Sequence, residues 1–257
     1  MDLKSQLTPI LAVTACVGIA LLIVSLFRAP ANHMTLPLFD EVAPVAPEGE
    51  ANGNQPLLDE VVTLPSPDHA GNLPVEAALA ARRSVRAYSE GPLHIDEISQ
   101  LLWSAAGISC EETGYRTAPS AGATFPLELY LVVGDVVSLS SGLYHYETEG
   151  HRLRKVSSGD LRTDLYAAAL QQAPIRDAPA LLILSAVYER TTRRYGQRGV
   201  QYVHMEAGHA AQNVYLQAVS LGLGTVVIGA FDEERVLTIM GTSSDETPLY
   251  IMPIGRL

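Results

Sequence analysis

The stretch Ala81-Arg82-Arg83-Ser84-Val85-Arg86-Ala87-Tyr88, called the arginine segment below, concentrates positive charge in a chain of net charge -11. It places three guanidinium groups and one hydroxyl within residues 82–86, directly after an apolar helical run. A guanidinium offers a rigid fork of donors that suits phosphate oxygens. The segment therefore predicts an anion site at a helix end. A solvated helix end is the alternative that this stretch alone leaves open.

The composition limits the classes of protein. The 257 residues are 47% hydrophobic and 18% charged, which suits one large domain or two small ones. The 17 basic residues against 28 acidic ones form no extended basic stripe, so we predict no nucleic-acid partner. The two cysteines, Cys16 and Cys110, form neither a CxxC motif nor a disulfide framework. Cys110 has no activating neighbour in the sequence and is expected to be an ordinary thiol.

Residues 5–27 contain no charged side chain, and residues 9–27 are close to the ~20 apolar residues that span a bilayer. Arg28 closes the run. We therefore predict that residues 1–28 are a single N-terminal transmembrane anchor and that the protein is a single-pass membrane protein. A cleaved signal peptide is the alternative, but its apolar region is shorter. Because Lys4 and Arg28 balance each other, the orientation in the membrane stays open.

Residues 29–73 contain seven prolines and seven acidic residues, with no Lys or Arg. This composition predicts a semi-extended acidic linker. Its last part, residues 61–65, is able to dock as an extended strand. The folded domain is expected over residues 74–257.

The domain mixes helices and strands without strict βαβ alternation, which predicts the α+β fold class. Helices are predicted at 75–83, 96–107, 161–173 (closed by Pro174), 200–221 and 232–240. Strands are predicted at 128–133, 180–187, 225–228 and 249–254, with a hairpin over 143–156; residues 113–126 and 190–198 are predicted loops.

The long helix carries a stripe of small and apolar residues at helical spacing, which permits close helix packing. The stripe consists of Val203, Ala207, Ala210, Val214 and Ala218. His204, Glu206 and His209 also lie on this helix. A bundle metal site needs two Glu-x-x-His pairs, whereas this chain has one, and the two His are five residues apart. We therefore predict packing and hydrogen-bonding roles and no metal.

Five separated segments together resemble the FMN-dependent nitroreductase family, and within it the SagB-type dehydrogenases, whose relatives oxidise azolines in peptide-toxin biosynthesis. The resemblance covers residues 73–257. It implies a three-layer sandwich in which helices flank a central mixed, mainly antiparallel sheet. The segments are the arginine segment, residues 116–128 (RTAPSAGATFPLE), 206–213 (EAGHAAQN), 221–231 (LGLGTVVIGAF) and 253–256 (PIGR).

The resemblance also implies an FMN site. The residues that would hold the FMN phosphate and ribityl chain are Arg82, Ser84 and Arg86, with Arg83 beside them and a further phosphate contact from Gly255 and Arg256. The residues of the loop that covers the flavin ring, supplied by the partner subunit, would be Pro119, Ser120, Ala121 and Gly122. The residues of the turn whose backbone faces the flavin N5 would be Gly229 and Ala230. Alone, each motif is also compatible with an ordinary loop, turn or chain end.

The same resemblance implies a homodimer, with the flavin at the interface and the long helix at its centre. NAD(P)H would stack transiently on the flavin as reductant. In azoline-oxidising relatives a Lys-Tyr pair serves substrate deprotonation, and the corresponding pair here is Arg194-Tyr195. Arginine stays protonated and is a poor base, so Tyr195 is the candidate catalytic residue and the substrate stays open.

The sequence thus predicts a membrane-tethered, homodimeric FMN oxidoreductase acting on a small organic or peptide substrate. One alternative is a dehydrogenase that modifies a peptide precursor, which would require a neighbouring cyclodehydratase. The other alternative is a non-catalytic, membrane-tethered flavin-binding domain, because a fold alone does not establish activity.

Overall fold

The computed structural model describes residues 60–257. The predicted anchor and most of the predicted linker lie outside these residues. Within residues 60–257, no helix is long and apolar enough to cross a membrane. The helices are α1 (Val75–Ala81), α2 (Ile95–Ala106), α3 (Arg162–Ala168), α4 (Ala173–Asp177), α5 (Glu189–Tyr195), α6 (Arg198–Ser220) and α7 (Glu233–Met240). The strands are β1 (Val61–Thr63), β2 (Ile108–Cys110), β3 (Tyr115–Arg116), β4 (Leu127–Val133), β5 (Gly142–Glu147), β6 (Arg152–Ser158), β7 (Ala180–Ala186), β8 (Leu223–Thr225) and β9 (Thr247–Arg256).

Seven strands form one sheet in the order β1-β6-β5-β4-β7-β9-β8, and β2 with β3 forms a separate hairpin. Every pair of these strands is antiparallel. Parallel contacts among residues 60–257 are limited to two isolated bridges, Ser84–Thr225 and Leu93–Val136. The α+β prediction is confirmed, with a sheet closer to fully antiparallel than the expected mixed one.

Helices cover both faces of the sheet, because side chains alternate between the faces along each strand. On β4, Leu129 and Leu131 join the core beneath α2 and α6, whereas Tyr130 and Val132 join the core beneath α3, α4 and α7. All seven residues of β7 are buried, as predicted for a central strand. The domain is therefore a three-layer sandwich.

Some element predictions are wrong; the strand expected over residues 225–228, for example, is β8 at Leu223–Thr225. The helix expected over residues 161–173 ends at Ala168, and Pro174 lies in the first turn of the separate helix α4. Proline suits a helix start because the amide it lacks has no intrahelical partner there, and Leu170 and Gln171 take positive φ between the two helices. The expected basic loop at 190–198 is largely helix α5, in which Arg193 pairs with Glu189 one turn away.

The small-residue stripe of α6 makes its close packing within this chain. Val203, Ala207, Ala210, Val214 and Ala218 are all buried within the protomer, in the core beneath the sheet. Small side chains let α6 approach the sheet and α2 closely. The opposite face of α6 is exposed, and Met205 on that face is 52% exposed.

Candidate functional site

The arginine segment lies flat against the edge of the sheet. The backbone N–H of Val85 donates to the Thr225 carbonyl (2.9 Å), and that of Ser89 donates to the Arg256 carbonyl (3.0 Å). A Cβ atom at Gly255 would lie 2.5 Å from Cγ of Tyr88, so glycine is what allows the Tyr88 ring to pack on β9. The close fit fixes the backbone and directs the polar side chains of the segment outward.

Those outward side chains offer uncompensated donors. The Arg82 guanidinium stands 5.1 Å above the Tyr215 ring, and the Ser84 hydroxyl lies 3.2 Å from the Tyr215 hydroxyl. Arg86 is exposed and makes only a long contact, 3.5 Å, to the Ser84 carbonyl. None of the arginines at 82, 83 and 86 forms an ion pair with a carboxylate of residues 60–257. The geometry thus suits a bound anion.

Tyr215 of α6 connects this segment to the predicted strand-end turn. Its hydroxyl accepts the backbone N–H of Val227 (2.8 Å) while facing Ser84. The following Gly229 and Ala230 are exposed, and the Ala230 carbonyl accepts a hydrogen bond from Gln172 (2.9 Å). The arginine segment and the turn therefore meet in one neighbourhood. Tyr215 was not among the predicted site residues; its signal in the sequence was a tyrosine on a helix face of smaller residues.

Arg256 and Arg83 are engaged differently from the expectation. The Arg256 guanidinium forms a bidentate ion pair with Glu97 of α2 (3.0 and 3.1 Å) and donates to the Pro92 carbonyl (2.9 Å). Its charge is therefore compensated, and it ties β9 to α2. The Arg83 guanidinium turns back to the carbonyls of Ala80 and Arg82 (3.0 and 2.7 Å). Of the predicted phosphate ligands, Arg82, Ser84 and Arg86 fit best.

Residues 119–125, called the PSAG loop below, take a strained backbone. Gly122, Ala123 and Phe125 have φ values of 62°, 54° and 45°, a region that residues with side chains rarely adopt. The Ser120 hydroxyl accepts the backbone N–H of Phe125 (3.0 Å), and the Arg194 guanidinium donates to the Gly122 carbonyl (3.1 Å). Surrounding groups therefore hold the loop in place.

Tyr195 lies against the same loop. A Cβ atom at Gly122 would be 2.5 Å from the Tyr195 hydroxyl, and the Tyr195 ring meets Tyr202 of α6 edge-on at 5.1 Å. The structure thus places Tyr195, the candidate catalytic residue, beside the predicted flavin-covering loop. The sequence did not indicate this proximity, because the two segments are far apart in the chain.

Glu206 of α6 is a buried acid beneath the PSAG loop, only 6% exposed. Burial raises the pKa of its carboxyl to about 7, although the nearby Ser120 hydroxyl and Arg116 guanidinium both act to lower it. Arg116 itself stacks 4.1 Å above the Phe125 ring. No group of three His, Cys, Asp or Glu side chains within residues 60–257 is placed to hold a metal.

The arginine segment and the PSAG loop contact α6 at separate places. Tyr215 serves the first and Glu206 the second, and nine residues of helix correspond to about 13 Å along its axis. One protomer therefore presents an anion site and a loop as two separate features along the same helix.

The chain belongs to the nitroreductase family, whose model matches residues 79–256. Members of this family of oxidoreductases bind FMN. A protein of Methanocaldococcus jannaschii named as a candidate nitroreductase is 50% identical over 182 residues, which cover 71% of this chain and 90% of that protein. A crystal structure of a candidate nitroreductase from Ralstonia eutropha JMP134 superimposes with a TM-score of 0.66 at 30% identity, covering 76% of this chain and 89% of that one.

A third relative carries a different name. The trifolitoxin-processing protein TfxB of Rhizobium leguminosarum bv. trifolii is 32% identical over 143 residues. The match covers 51% of this chain but only 38% of TfxB, so this chain resembles one part of a longer protein.

Proposed function

We propose that the protein is an FMN-dependent oxidoreductase that acts as a homodimer on a small organic or peptide-derived substrate. The observation that carries the proposal is the uncompensated pair Arg82 and Arg86, held by the sheet edge beside the Gly229 turn. Within residues 60–257 neither guanidinium pairs with a carboxylate, and two such arginines on one short segment of a chain of net charge -11 are suited to a phosphate.

The residues present fit FMN. Arg82 and Arg86 would bind the phosphate, Ser84 would contact the ribityl chain, and the exposed backbone of Gly229 and Ala230 would face the ring. Bound FMN supplies the electron-transfer chemistry, so the protein needs few acids and bases of its own. NADH or NADPH is the proposed transient reductant.

A second copy of the chain would supply the PSAG loop. Within one protomer the loop contacts α6 about 13 Å from Tyr215, which favours a ring sandwiched between one protomer's turn and its partner's loop. The exposed face of α6 around Met205 and Gly208 is the proposed contact between copies.

Tyr195 is the proposed proton donor or acceptor for substrate, because Arg194 is permanently charged and is engaged by the Gly122 carbonyl. The similarity to TfxB favours, as a second candidate, a dehydrogenase of the SagB type that modifies a peptide precursor. Oxidation of a synthetic azoline-containing peptide by the FMN-loaded protein would select this candidate over a small-molecule reductase.

We further propose that residues 1–28 tether the domain to a membrane through the linker 29–73, on the basis of composition alone. Full-length protein should stay with membranes after alkaline washing, whereas a version starting at residue 60 should not. Recovery of both in the supernatant would contradict the tether.

The decisive experiment is a titration with FMN, followed by fluorescence and visible absorbance. Wild type should bind one FMN per protomer, and Arg82→Ala with Arg86→Ala should weaken binding by about 10²–10⁴-fold, because each charge-assisted contact contributes about 1.5–3 kcal/mol. The control is Arg152→Ala with Arg154→Ala, which removes the same charge from β6, far across the sheet.

The control pair should bind FMN as wild type does, with all three proteins equally folded by circular dichroism. Colourless wild type that takes up no FMN would refute the proposed function. The non-catalytic flavin-binding alternative would be favoured if the protein binds FMN but neither NADH nor NADPH reduces that FMN under argon. Varied electron acceptors should then also give no turnover.

A further inference from the structure

A cavity of about 270 Å³ opens beside the PSAG loop, where the start of β4, the end of β5 and the β5–β6 turn meet. Arg116 of β3 and Arg190 of α5 also line it, and both contact the loop residue Phe125. The Arg116 guanidinium stacks on the Phe125 ring at 4.1 Å, and the Arg190 guanidinium donates to the Phe125 carbonyl (3.0 Å). None of the residues proposed to contact FMN lines this cavity.

The backbone of Arg116 is held in place on both sides. Arg116 pairs with Ile108 across the β2–β3 hairpin, and the backbone N–H of the next residue, Thr117, donates to the Gly107 carbonyl (3.0 Å). The half-buried Arg116 side chain rests with one guanidinium face on the Phe125 ring. Stacking of this kind leaves the N–H groups at the edge of the guanidinium available to donate. The cavity wall therefore carries an oriented fork of donors.

Arg116 lacks the carboxylate partner that the other two arginines of the cavity have. Arg190 pairs with Glu128, and Arg152 pairs with Glu147. Arg116 forms no ion pair with any carboxylate of residues 60–257. A half-buried charge loses part of its hydration, and without a partner it gains no ion pair in return. A bound anion would supply that missing partner.

The other charges of the cavity define which anion fits. The formal charges of its arginines and glutamates cancel, since the cavity is lined by Arg116, Arg152 and Arg190 and by Glu128, Glu147 and Glu149. Glu149 is exposed, and no cation of residues 60–257 pairs with it. A dianion such as phosphate would be repelled by Glu149 more strongly than a monoanion. The edge of a guanidinium matches the two coplanar oxygens of a carboxylate.

We propose that this cavity binds the carboxylate of a small, otherwise uncharged molecule, and that Arg116 is the donor that holds it. The volume of about 270 Å³ lies just below the ~300–1,000 Å³ of sites for drug-sized molecules, so the ligand is smaller than those. The polar side chains of Glu147 and Thr148 in the lining suit a ligand whose body carries hydrogen-bond donors. The site is separate from the proposed FMN contacts.

The test uses the purified full-length protein and two probes of nearly the same shape. N-acetylglycine carries a carboxylate, and N-acetylglycinamide is its neutral counterpart. Saturation-transfer NMR at pH 7 measures both dissociation constants. N-acetylglycine should bind with a dissociation constant of about 1 mM, and at least about tenfold more tightly than the amide, the effect of one charge-assisted hydrogen bond. Equal binding of the two probes, or no saturable binding of N-acetylglycine at about 10 mM, would overturn the proposal.

Arg116→Gln should weaken N-acetylglycine binding at least about tenfold and leave the amide unaffected. The matched control is Arg176→Gln. Arg176 also stacks on an aromatic ring, that of Tyr166 at 5.1 Å, but it lies on α4, which contributes no residue to the cavity. The control should bind N-acetylglycine as wild type does. An equal loss in both variants would refute the assignment to Arg116.

Glu149→Gln leaves Arg116 in place and decides the question even where Arg116→Gln fails to fold. Removal of this exposed acid should tighten N-acetylglycine binding about two- to threefold and leave the amide unaffected, because it removes a repulsion of the carboxylate. An unchanged affinity for N-acetylglycine would place its carboxylate elsewhere.

Competition distinguishes a carboxylate site from a general anion site. Acetate should displace N-acetylglycine from wild type at lower concentration than inorganic phosphate does, and the reverse order would contradict the proposal. None of these measurements requires FMN or a reductant. Failure of the proposed function therefore leaves them valid, and failure of the carboxylate site leaves the proposed function intact.

Discussion

The arginine segment and the PSAG loop are built in opposite ways. The arginine segment has no positive φ within residues 82–88 and is held by backbone hydrogen bonds to β8 and β9, with the Tyr88 ring against Gly255. The PSAG loop has three residues at positive φ and is held by side chains from α5 and by Arg116 of β3, which stacks on Phe125. The backbone of the arginine segment is fixed by the sheet, and its outward side chains can be replaced without disturbing that backbone. The backbone of the PSAG loop is strained, and its conformation depends on contacts from neighbouring side chains.

This difference predicts where each region is vulnerable. The arginine segment should lose its packing on the sheet when Gly255 is replaced by a larger residue. Removal of one of its outward side chains should change only the affinity for FMN. The loop should respond to charge, pH and single hydroxyl groups around it, because those groups oppose its strain.

The largest effect is expected for Gly255→Ala. The new methyl group would overlap the Tyr88 ring, because its carbon would lie 2.5 Å from Cγ of Tyr88. Overpacking of this kind should lower the free energy of unfolding by about 3 kcal/mol. FMN binding should be lost as well. Gly71→Ala is the control, since its nearest atom would be at an ordinary 3.7 Å. Urea denaturation of both variants measures the difference in unfolding free energy. Equal stability would show that the arginine segment is not closely packed on Gly255.

A pH dependence of stability should come next in size. The folded pKa of Glu206, about 7, lies above its ordinary value of 4.5, so the folded state holds the proton more tightly. The stability that this group contributes is fully present below pH 4.5 and is lost as the pH rises through about 7. This interval corresponds to at most about 3 kcal/mol.

Denaturation of wild type and Glu206→Gln at pH 5 and pH 8 measures this loss, which the variant should lack. If the unfolding free energies of the two proteins change equally with pH, the Glu206 carboxyl is solvated. The stability of the PSAG loop would then not depend on the charge of Glu206.

Gly122→Ala should destabilise by about 1–2 kcal/mol, because alanine is disfavoured at φ 62° and its methyl group would meet the Tyr195 hydroxyl. Tyr195→Phe in the same chain should recover part of that cost by removing the hydroxyl. Thermal melts of the single and double variants distinguish the two contributions. No recovery in the double variant would assign the whole cost to the backbone.

The smallest effect is expected for Arg83→Ala. Its exposed guanidinium turns back to the Ala80 and Arg82 carbonyls, so FMN affinity should change less than about threefold, with stability unchanged within about 0.5 kcal/mol. The FMN titration described above checks this. A loss as large as that of Arg82→Ala would show that the arginine rotates toward the phosphate when FMN binds.

The sequence by itself determined the elements with strong local patterns. The amphipathic spacing of α2, the apolar run of β7 and the Asp232 cap, whose side chain accepts the Arg235 N–H at 3.0 Å, were all predictable because the signal lies within a few neighbouring residues. The five separated motifs likewise indicated the family.

Only the tertiary structure decided which side chains act together. It placed Tyr195 against Gly122, 73 residues apart in sequence, paired Arg256 with Glu97, and turned the small-residue stripe of α6 into the protomer's own core. It also buried Glu206, whose pKa depends on solvent exclusion and on Ser120 and Arg116 from other elements. These contacts and this pKa depend on distances between segments that are remote in the sequence. Local sequence patterns do not determine those distances.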